Sequence, residues 1–314
     1  MTCSAARLAV CAAGLLAGAG STVAPLRAQG VAARKVAPRL YILRTAAGSN
    51  VLALAATGGT LLVDAGPADG VEALGAALDS LGIGRVRYVV NTHYHDDHIG
   101  GNAYFGQRGA VVIARPAARA EAQVDTVIPE FNGWRRVAAA ADALPPVTVE
   151  GPTTIHLGSD TVYLVPAPGA HTSGDLVVRV APADVIHTGD VYEVGAYPFI
   201  DVWAGGSVAG MIEATRRLLA AGGATTRYVP GHGAVGSAAD VERYLGMLVA
   251  VCGAVAQAWK REATLDAVMA GRPTASFDDT SWGPARHGPV FAELVFRSLE
   301  RGSGCGGGTP ARPR

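Results

Sequence analysis

The sequence predicts a layered α/β sandwich, and three observations carry that prediction. Short apolar β runs come in two clusters, one in each half of the chain, with helical periods between and after them rather than after every strand. Gly- and Pro-based turn signals punctuate the runs. The 314 residues are 49% hydrophobic and only 17% charged, enough apolar material for a large core and too little charge for a disordered chain.

Residues 1–28 read as a secretory signal peptide: Arg7 is the positive end, residues 8–20 form an uncharged apolar stretch, and Leu26-Arg27-Ala28 resembles a small-residue cleavage site. The mature chain then starts at Gln29. The stretch is shorter than the ~20 apolar residues of a spanning helix, and no membrane span is expected in the mature chain. A periplasmic or secreted location follows. Strand runs are expected at residues 39–44, 51–55 and 60–64, then a helix over 71–81 with Val71, Leu74, Ala77 and Leu78 on one face. Residues 86–90 form an apolar strand ending at Asn91-Thr92-His93, and 111–113 another. Residues 120–145 lack a clear period and read as a loop-rich insertion, with Phe131 and Trp134 as lid candidates.

In the second half, strands are expected at 153–157, 162–165, 176–180, 184–187 and 228–229. Ser207 reads as the N-cap of a helix through Leu219, stopped by Gly222-Gly223. Asp240 opens a helical stretch to about Gly271, and a last helix covers 290–299. Residues 29–301 thus form one domain, and 302–314 a Gly/Pro/Arg tail expected to be disordered.

Lys+Arg and Asp+Glu balance at 26 each, which argues against a nucleic-acid partner. Lys35 and Lys260 are the only lysines, and with the Ala and Gly excess this reads as a GC-rich bacterial genome. Cys3 and Cys11 leave with the leader. Cys252 and Cys305 lie too far apart for a Cys-based zinc site. Cys252, in an apolar helical run, reads as a buried free thiol, although an oxidising compartment permits the pair to bond.

The strongest signal is His93-Tyr94-His95-Asp96-Asp97-His98-Ile99-Gly100-Gly101, directly after an apolar strand. Three of the eight histidines and two aspartates fall within six positions. Imidazole and carboxylate suit zinc, a strand-to-loop turn can aim His93 and His95 at one point and Asp97 and His98 at another, and Gly100-Gly101 permits a tight backbone.

These residues resemble the HxHxDH motif of the metallo-β-lactamase fold superfamily, and further segments match it in order: His171 in Pro168-Gly169-Ala170-His171-Thr172, Asp190 in His187-Thr188-Gly189-Asp190, His232 in Pro230-Gly231-His232-Gly233, and Asp64 in Leu61-Leu62-Val63-Asp64-Ala65-Gly66. The resemblance runs from about Tyr41 to Leu299. It implies a four-layer αβ/βα sandwich and two Zn²⁺ per chain, with iron or manganese as possible substitutes. By the same resemblance, His93, His95 and His171 hold one metal, and Asp97, His98 and His232 the other. Asp190 and a water-derived hydroxide bridge them, and Asp64 stands behind the ligands. The implied chemistry is hydroxide attack on a carbonyl ester, lactone or amide of a small molecule, with Asp97 or Asp190 moving the proton to the leaving atom.

The Asp at position 190 resembles lactonases and hydroxyacylglutathione hydrolases more than β-lactamases. Export and the segment Tyr197-Pro198-Phe199-Ile200-Asp201 resemble exported β-lactamase-like members. The competing readings are an iron-dependent, persulfide dioxygenase-like oxidoreductase and a non-catalytic zinc-binding protein of the envelope. Tyr192, Tyr197, Phe199 and Trp203 either line a substrate cleft or pack an edge loop or core. His187 reads as a core residue or one behind the ligands, and His156 and His287 as structural or surface residues. Asp175 either orients His171 or caps a turn.

Overall fold

The computed structural model describes residues 26–28, 30–278 and 287–306. The expected leader through residue 25 and the tail from 307 lie outside the described residues. The first sheet contains β1 (Leu26–Ala28), β2 (Val31–Ala37), β3 (Leu40–Arg44), β4 (Asn50–Ala56), β5 (Gly59–Val63), β6 (Val86–Val90), β7 (Val111–Ala114) and, after the small hairpin β8 (Thr126–Ile128) and β9 (Trp134–Arg136), β10 (Val147–Thr148). Its order is β1-β2-β3-β4-β5-β6-β7-β10. The second sheet runs in sequence order through β11 (Thr153–Leu157), β12 (Asp160–Pro166), β13 (Leu176–Val180), β14 (Val185–Gly189) and β15 (Arg227–Pro230).

Strand alternation explains the layering. On β4, Leu52 and Leu54 face the second sheet, while Val51 and Ala53 face outward onto α1 (Val71–Ser80). The inter-sheet core joins these to Val162, Leu164, Val178 and Val229 of the second sheet. The second sheet's outer side, with Ile186 and Tyr228, packs on helices from the C-terminal half. Strands apolar on both faces need a helix layer on each outer side, so the architecture is α/β/β/α.

The short helices α2 (Asp96–Ile99), α3 (Asn102–Gln107) and α4 (Pro116–Glu121) belong to the first half. In the second half, α5 (Val208–Ala221) is capped by Ser207, whose hydroxyl accepts from Gly210 N at 3.0 Å. A reciprocal Ser237–Asp240 capping box opens α6 (Ala238–Lys260). The single helical stretch expected to Gly271 is two helices, α6 and α7 (Leu265–Ala270), because the backbone turns left-handed at Glu262, with φ 58°. Helix α8 (His287–Glu300) packs on α6.

Two further differences from the sequence reading have clear causes. Strand β2 was not expected, because Val31, Ala33 and their exposed neighbours make too weak an alternation. The insertion at 120–145 contains the β8–β9 hairpin, whose three-residue strands are too short to show a period. The free-thiol reading of Cys252 is also corrected. Its sulfur is bonded to Cys305, 53 residues on, with the Cα atoms 5.7 Å apart. The near end of the expected tail, through Gly306, is therefore held against α6.

Parallel pairing sets the position of the site. β5 and β6 in one sheet, and β14 and β15 in the other, run parallel, so their C-terminal ends share an edge. There the sheets are stitched together, with Leu176 N donating to Thr92 O at 2.7 Å and Asn50 N to Gly231 O at 2.7 Å.

By loop entropy, a cross-link over 53 residues restricts the unfolded chain by roughly 4 kcal/mol. Cys305→Ser is expected to lower stability by ~2–4 kcal/mol in denaturant titration, with reductant giving the wild type the same loss. An unchanged midpoint would contradict this.

Candidate metal centre

The loop after β6 carries His93 in a bend and His95 in extended backbone, then turns into α2 with Asp97 and His98. A reciprocal amide pair pins this loop: Asn91 Nδ2 donates to Asn102 Oδ1 at 3.0 Å, and Asn102 Nδ2 donates back at 2.9 Å. Gly100 and Gly101 have ordinary helical dihedrals, so close approach is what requires them. A Cβ at Gly100 would sit 2.3 Å from Ala68 N, and one at Gly101 2.3 Å from Ala65 O.

His171 lies in the loop before β13, Asp190 just after β14, and His232 after β15. The structure brings all seven sequence-predicted ligand residues together. His93, His95, His171 and Asp190 form one group, and Asp97, His98 and His232 another; within each, the ligand-type atoms lie within 4.8 Å of one another. Asp190 stands between the groups, with Oδ2 3.9 Å from His93 Nε2, 3.8 Å from His171 Nε2 and 3.6 Å from His232 Nε2. Its Oδ1 is buried without a hydrogen-bond partner. A Cβ at Gly231 would fall 1.9 Å from that oxygen, so only glycine leaves the space open.

Partners behind the rings set which nitrogens carry lone pairs. His171 Nδ1–H donates to Phe199 O at 2.8 Å, and His95 Nε2–H to Asp201 Oδ2 at 3.2 Å. Thr92 donates its hydroxyl to Asp64 Oδ2 at 2.9 Å, so its oxygen accepts from His93 Nδ1 at 3.0 Å. His98 Nδ1–H donates to the same Asp64 oxygen at 2.8 Å. In the neutral forms of His93, His95, His98 and His171, the inward nitrogens are then acceptors. Yet His95 Nδ1 stands 3.0 Å from both His93 Nε2 and His171 Nε2, and His98 Nε2 faces Asp97 Oδ2 at 3.4 Å and Asp190 Oδ1 at 3.5 Å. Acceptors cannot satisfy each other. A shared cation does, and imidazole with carboxylate is a donor set suited to zinc. The residues present fit a pair of metal ions.

Electrostatics separates the two groups. Burial, then the neighbouring histidines, hold His93 well below the usual imidazole value, and burial with His95 lowers His171 to about 4. Burial also works against charge on His98, but Asp190, Asp64 and Asp97 outweigh it and raise the ring well above its ordinary value. His232 likewise overcomes burial through its 2.9 Å bond to Asp97 and the Asp190 charge, and is raised to about 9. Asp97 is held well below the carboxylate range by the His98 charge and the His232 bond, against burial.

Asp64 is the hub of this arrangement. It accepts Thr92 N at 2.7 Å as well as Thr92 Oγ1 and His98 Nδ1, and so orients a ligand of each group. Its backbone is left-handed at φ 65°, a conformation few non-glycine residues adopt. His187 touches no ligand: Nε2 donates to Asn50 O at 3.1 Å, and Asn50 Nδ2 donates to Pro230 O and Gly233 O, on either side of His232. Asp175 caps the turn, accepting Thr172 N and Oγ1, and does not hold the His171 ring. His156 is exposed on β11, and His287 begins α8.

The aromatic residues divide. Phe199 and Trp203 border the site, with ring centroids 6.0 Å apart for Phe199 and His95. Phe131 and Trp134 of the hairpin lie against them, and Trp134 also stands 6.1 Å from His95. The cleft reading of Tyr192 and Tyr197 is corrected. Tyr192 is wholly buried between Tyr228 and Tyr244, and Tyr197 stacks on Phe291, because the chain after Asp190 passes beneath the helix layer before returning at Phe199. Sequence reasoning missed Asp201 as a positioning residue. It is fully buried and accepts His95 Nε2, the Tyr94 hydroxyl, and the Trp203 and Ala204 amides. An acid in the apolar run Phe199-Ile200-Asp201-Val202 was the available signal, but its partner lies 106 residues earlier.

A family model described as the metallo-beta-lactamase superfamily matches residues 44–253. Among solved structures, a metallo-beta-lactamase from Pontibacter korlensis is 22% identical at a TM-score of 0.57, the match covering 69% of this chain and 98% of that one. A metallo-beta-lactamase from Erythrobacter litoralis, with beta mercaptoethanol in its active site, is 21% identical at a TM-score of 0.54, covering 72% and 99%. A search of curated proteins finds no match.

Two outcomes follow from the geometry. Asp64→Asn keeps the shape and tolerates the left-handed backbone but faces donors with an amide. It should weaken metal retention at both groups by ~10–100-fold in chelator competition, where loss at one group alone would contradict the hub. The second outcome concerns pH. A metal must displace a proton from His232 below about pH 9 and from His98, which its carboxylate neighbours also raise, but none from His171 above about pH 4. Affinity of the second group should therefore rise between pH 7 and 9, without a matching rise from His93 or His171 of the first, as read by calorimetric metal titration at several pH values.

Proposed function

The chain belongs to the metallo-beta-lactamase superfamily, and within it we propose a dinuclear zinc hydrolase that cleaves a carbonyl ester, lactone or amide of a small molecule. One observation carries this reading: two ligand groups converge with the Asp190 carboxylate between them. His93, His95 and His171 would hold one ion, Asp97, His98 and His232 the other, and Asp190 both. Bound zinc supplies Lewis acidity and water that ionises near pH ~7.

The chain's own residues do the rest. Asp64, Thr92, Phe199 O and Asp201 keep the imidazoles in the tautomers that leave their inner nitrogens free. Of the two carboxylates considered for proton transfer, Asp97 is the more accessible, with 29% of its side chain exposed against 11% for Asp190. Asp97 therefore takes the role of exchanging a proton with the leaving atom. A structural zinc site is closed, whereas catalytic sites keep an open position. Here His232 and Asp97 are partly exposed and a cavity adjoins His95, which favours catalysis over a passive zinc-binding role.

We include β-lactam amides among the substrates to screen, since the structural neighbours carry the name metallo-beta-lactamase. Export to the periplasm or beyond is part of the proposal. It is supported by the leader pattern of residues 1–28 and by the Cys252–Cys305 bond, which oxidising compartments sustain.

The purified mature chain should contain two zinc ions by elemental analysis and turn over at least one of nitrocefin, an acyl-homoserine lactone or a simple thioester. His95→Ala should cut that turnover by more than the ~10–100-fold typical for loss of a residue behind a ligand. Iron as the bound metal would favour the oxidoreductase reading. Inactivity of the zinc-loaded protein on all three classes would overturn the proposal.

A further inference from the structure

We infer that the cavity between the β8–β9 hairpin and the start of α2 is a subsite for an unbranched apolar chain of the substrate. The inference rests on the hydrolase reading above and specifies the substrate class of the same site. The cavity has a volume of about 530 Å³ and borders Tyr94 and His95, so it opens beside the first ligand group. That volume lies within the ~300–1,000 Å³ of small-molecule sites.

The wall is made of small side chains. Ala68, Ala103 and Ala122, with Ala139 and Ala143 of one loop, come from four separate segments, and each contributes only a methyl group, so the space between them is left unfilled. Ile99 adds apolar surface, and Trp134 lines the cavity beside the His95 ring, with centroids 6.1 Å apart.

Most polar groups of the wall are already engaged, with Arg136 Nε the buried exception. Arg136 is buried, pairs with Glu121 at 2.6 Å and lies 4.6 Å over the Tyr94 ring. Arg135 pairs with Asp125 at 3.0 Å, and the Tyr94 hydroxyl is given to Asp201. Ala139 N donates to Ala122 O at 2.7 Å. Asp96, exposed at the mouth, disfavours an anionic occupant. A polar group entering here would lose water and find few free partners, whereas a methylene chain gains from leaving water.

The wall is also preformed. Besides the Arg136–Glu121 pair at the base of the hairpin, Glu130 near its tip accepts Trp203 Nε1 at 2.8 Å and, through its carbonyl, Arg297 Nη2 at 2.9 Å. The subsite is thus part of the folded chain, and an occupant need not order it.

The test separates binding from turnover. Uncharged 2-alkanones of increasing length are titrated calorimetrically into the metal-free full mature chain, and p-nitrophenyl esters from acetate to octanoate are assayed with the zinc-loaded chain. Kd and KM should each fall about fourfold per added methylene, the equivalent of ~0.8 kcal/mol, until the cavity is filled. Ala103→Leu, conservative for a helix, and independently Ala138→Leu, should flatten both series. Chain-length-dependent alkanone binding without ester turnover would sink the hydrolase reading and still support the subsite. Turnover with no chain-length dependence in either series, or a dependence that survives both folded variants, would overturn the subsite.

Discussion

The structure depends on one unfavourable arrangement. Imidazole nitrogens of His93, His95 and His171, with their lone pairs turned inward, are held 3.0 Å apart, beside carboxylates that also point in. Among the described residues no donor satisfies them, and a cation does. The rings stay in place because each of His93, His95, His98 and His171 gives its outer N–H to a fixed acceptor. Two of these tethers converge on Asp64, one directly and one through Thr92. Burial pushes the pKa of His93, His98, His171 and His232 down alike, but the charges of Asp64, Asp97 and Asp190 outweigh it at His98 and His232, while neighbouring histidines add to it at His93 and His171.

The sandwich exists in a form that makes this arrangement possible. Parallel pairs in both sheets end at one edge, and backbone bonds across that edge set the two halves in register. His187 and Asn50 extend this to the fourth segment by tying the His232 loop to β4. The absence of a Cβ at Gly231 keeps the space around Asp190 open. These residues never touch a ligand atom, yet the ligand geometry follows from them.

Around this centre the chain builds two unlike walls. Phe131, Trp134, Phe199 and Trp203 make an aromatic edge. Behind Trp134, alanines leave a space. Arg136 bridges the two, since it bolts the hairpin to Glu121 and lies over Tyr94, whose hydroxyl shares Asp201 with His95. A change in the hairpin is therefore connected to a ligand ring through three packed side chains.

Much of this was legible from the residues alone. The ligand types announce themselves by chemistry, because three histidines and two aspartates in six positions have little other use, and the strands around them carry strong apolar runs. Local physics also determined the caps at Ser207 and the span of α1. Long-range proximity decided the rest. Asp201 and His95 are 106 residues apart, and Cys252 and Cys305 are 53 apart. Tyr192 and Phe199 follow Asp190 with equal claim to the site, but only the path of the chain under the helices buries the first and leaves the second beside the metal ligands. A sequence specifies what a side chain can do; which partner it meets depends on packing between segments whose separation along the chain carries no record of their distance in space.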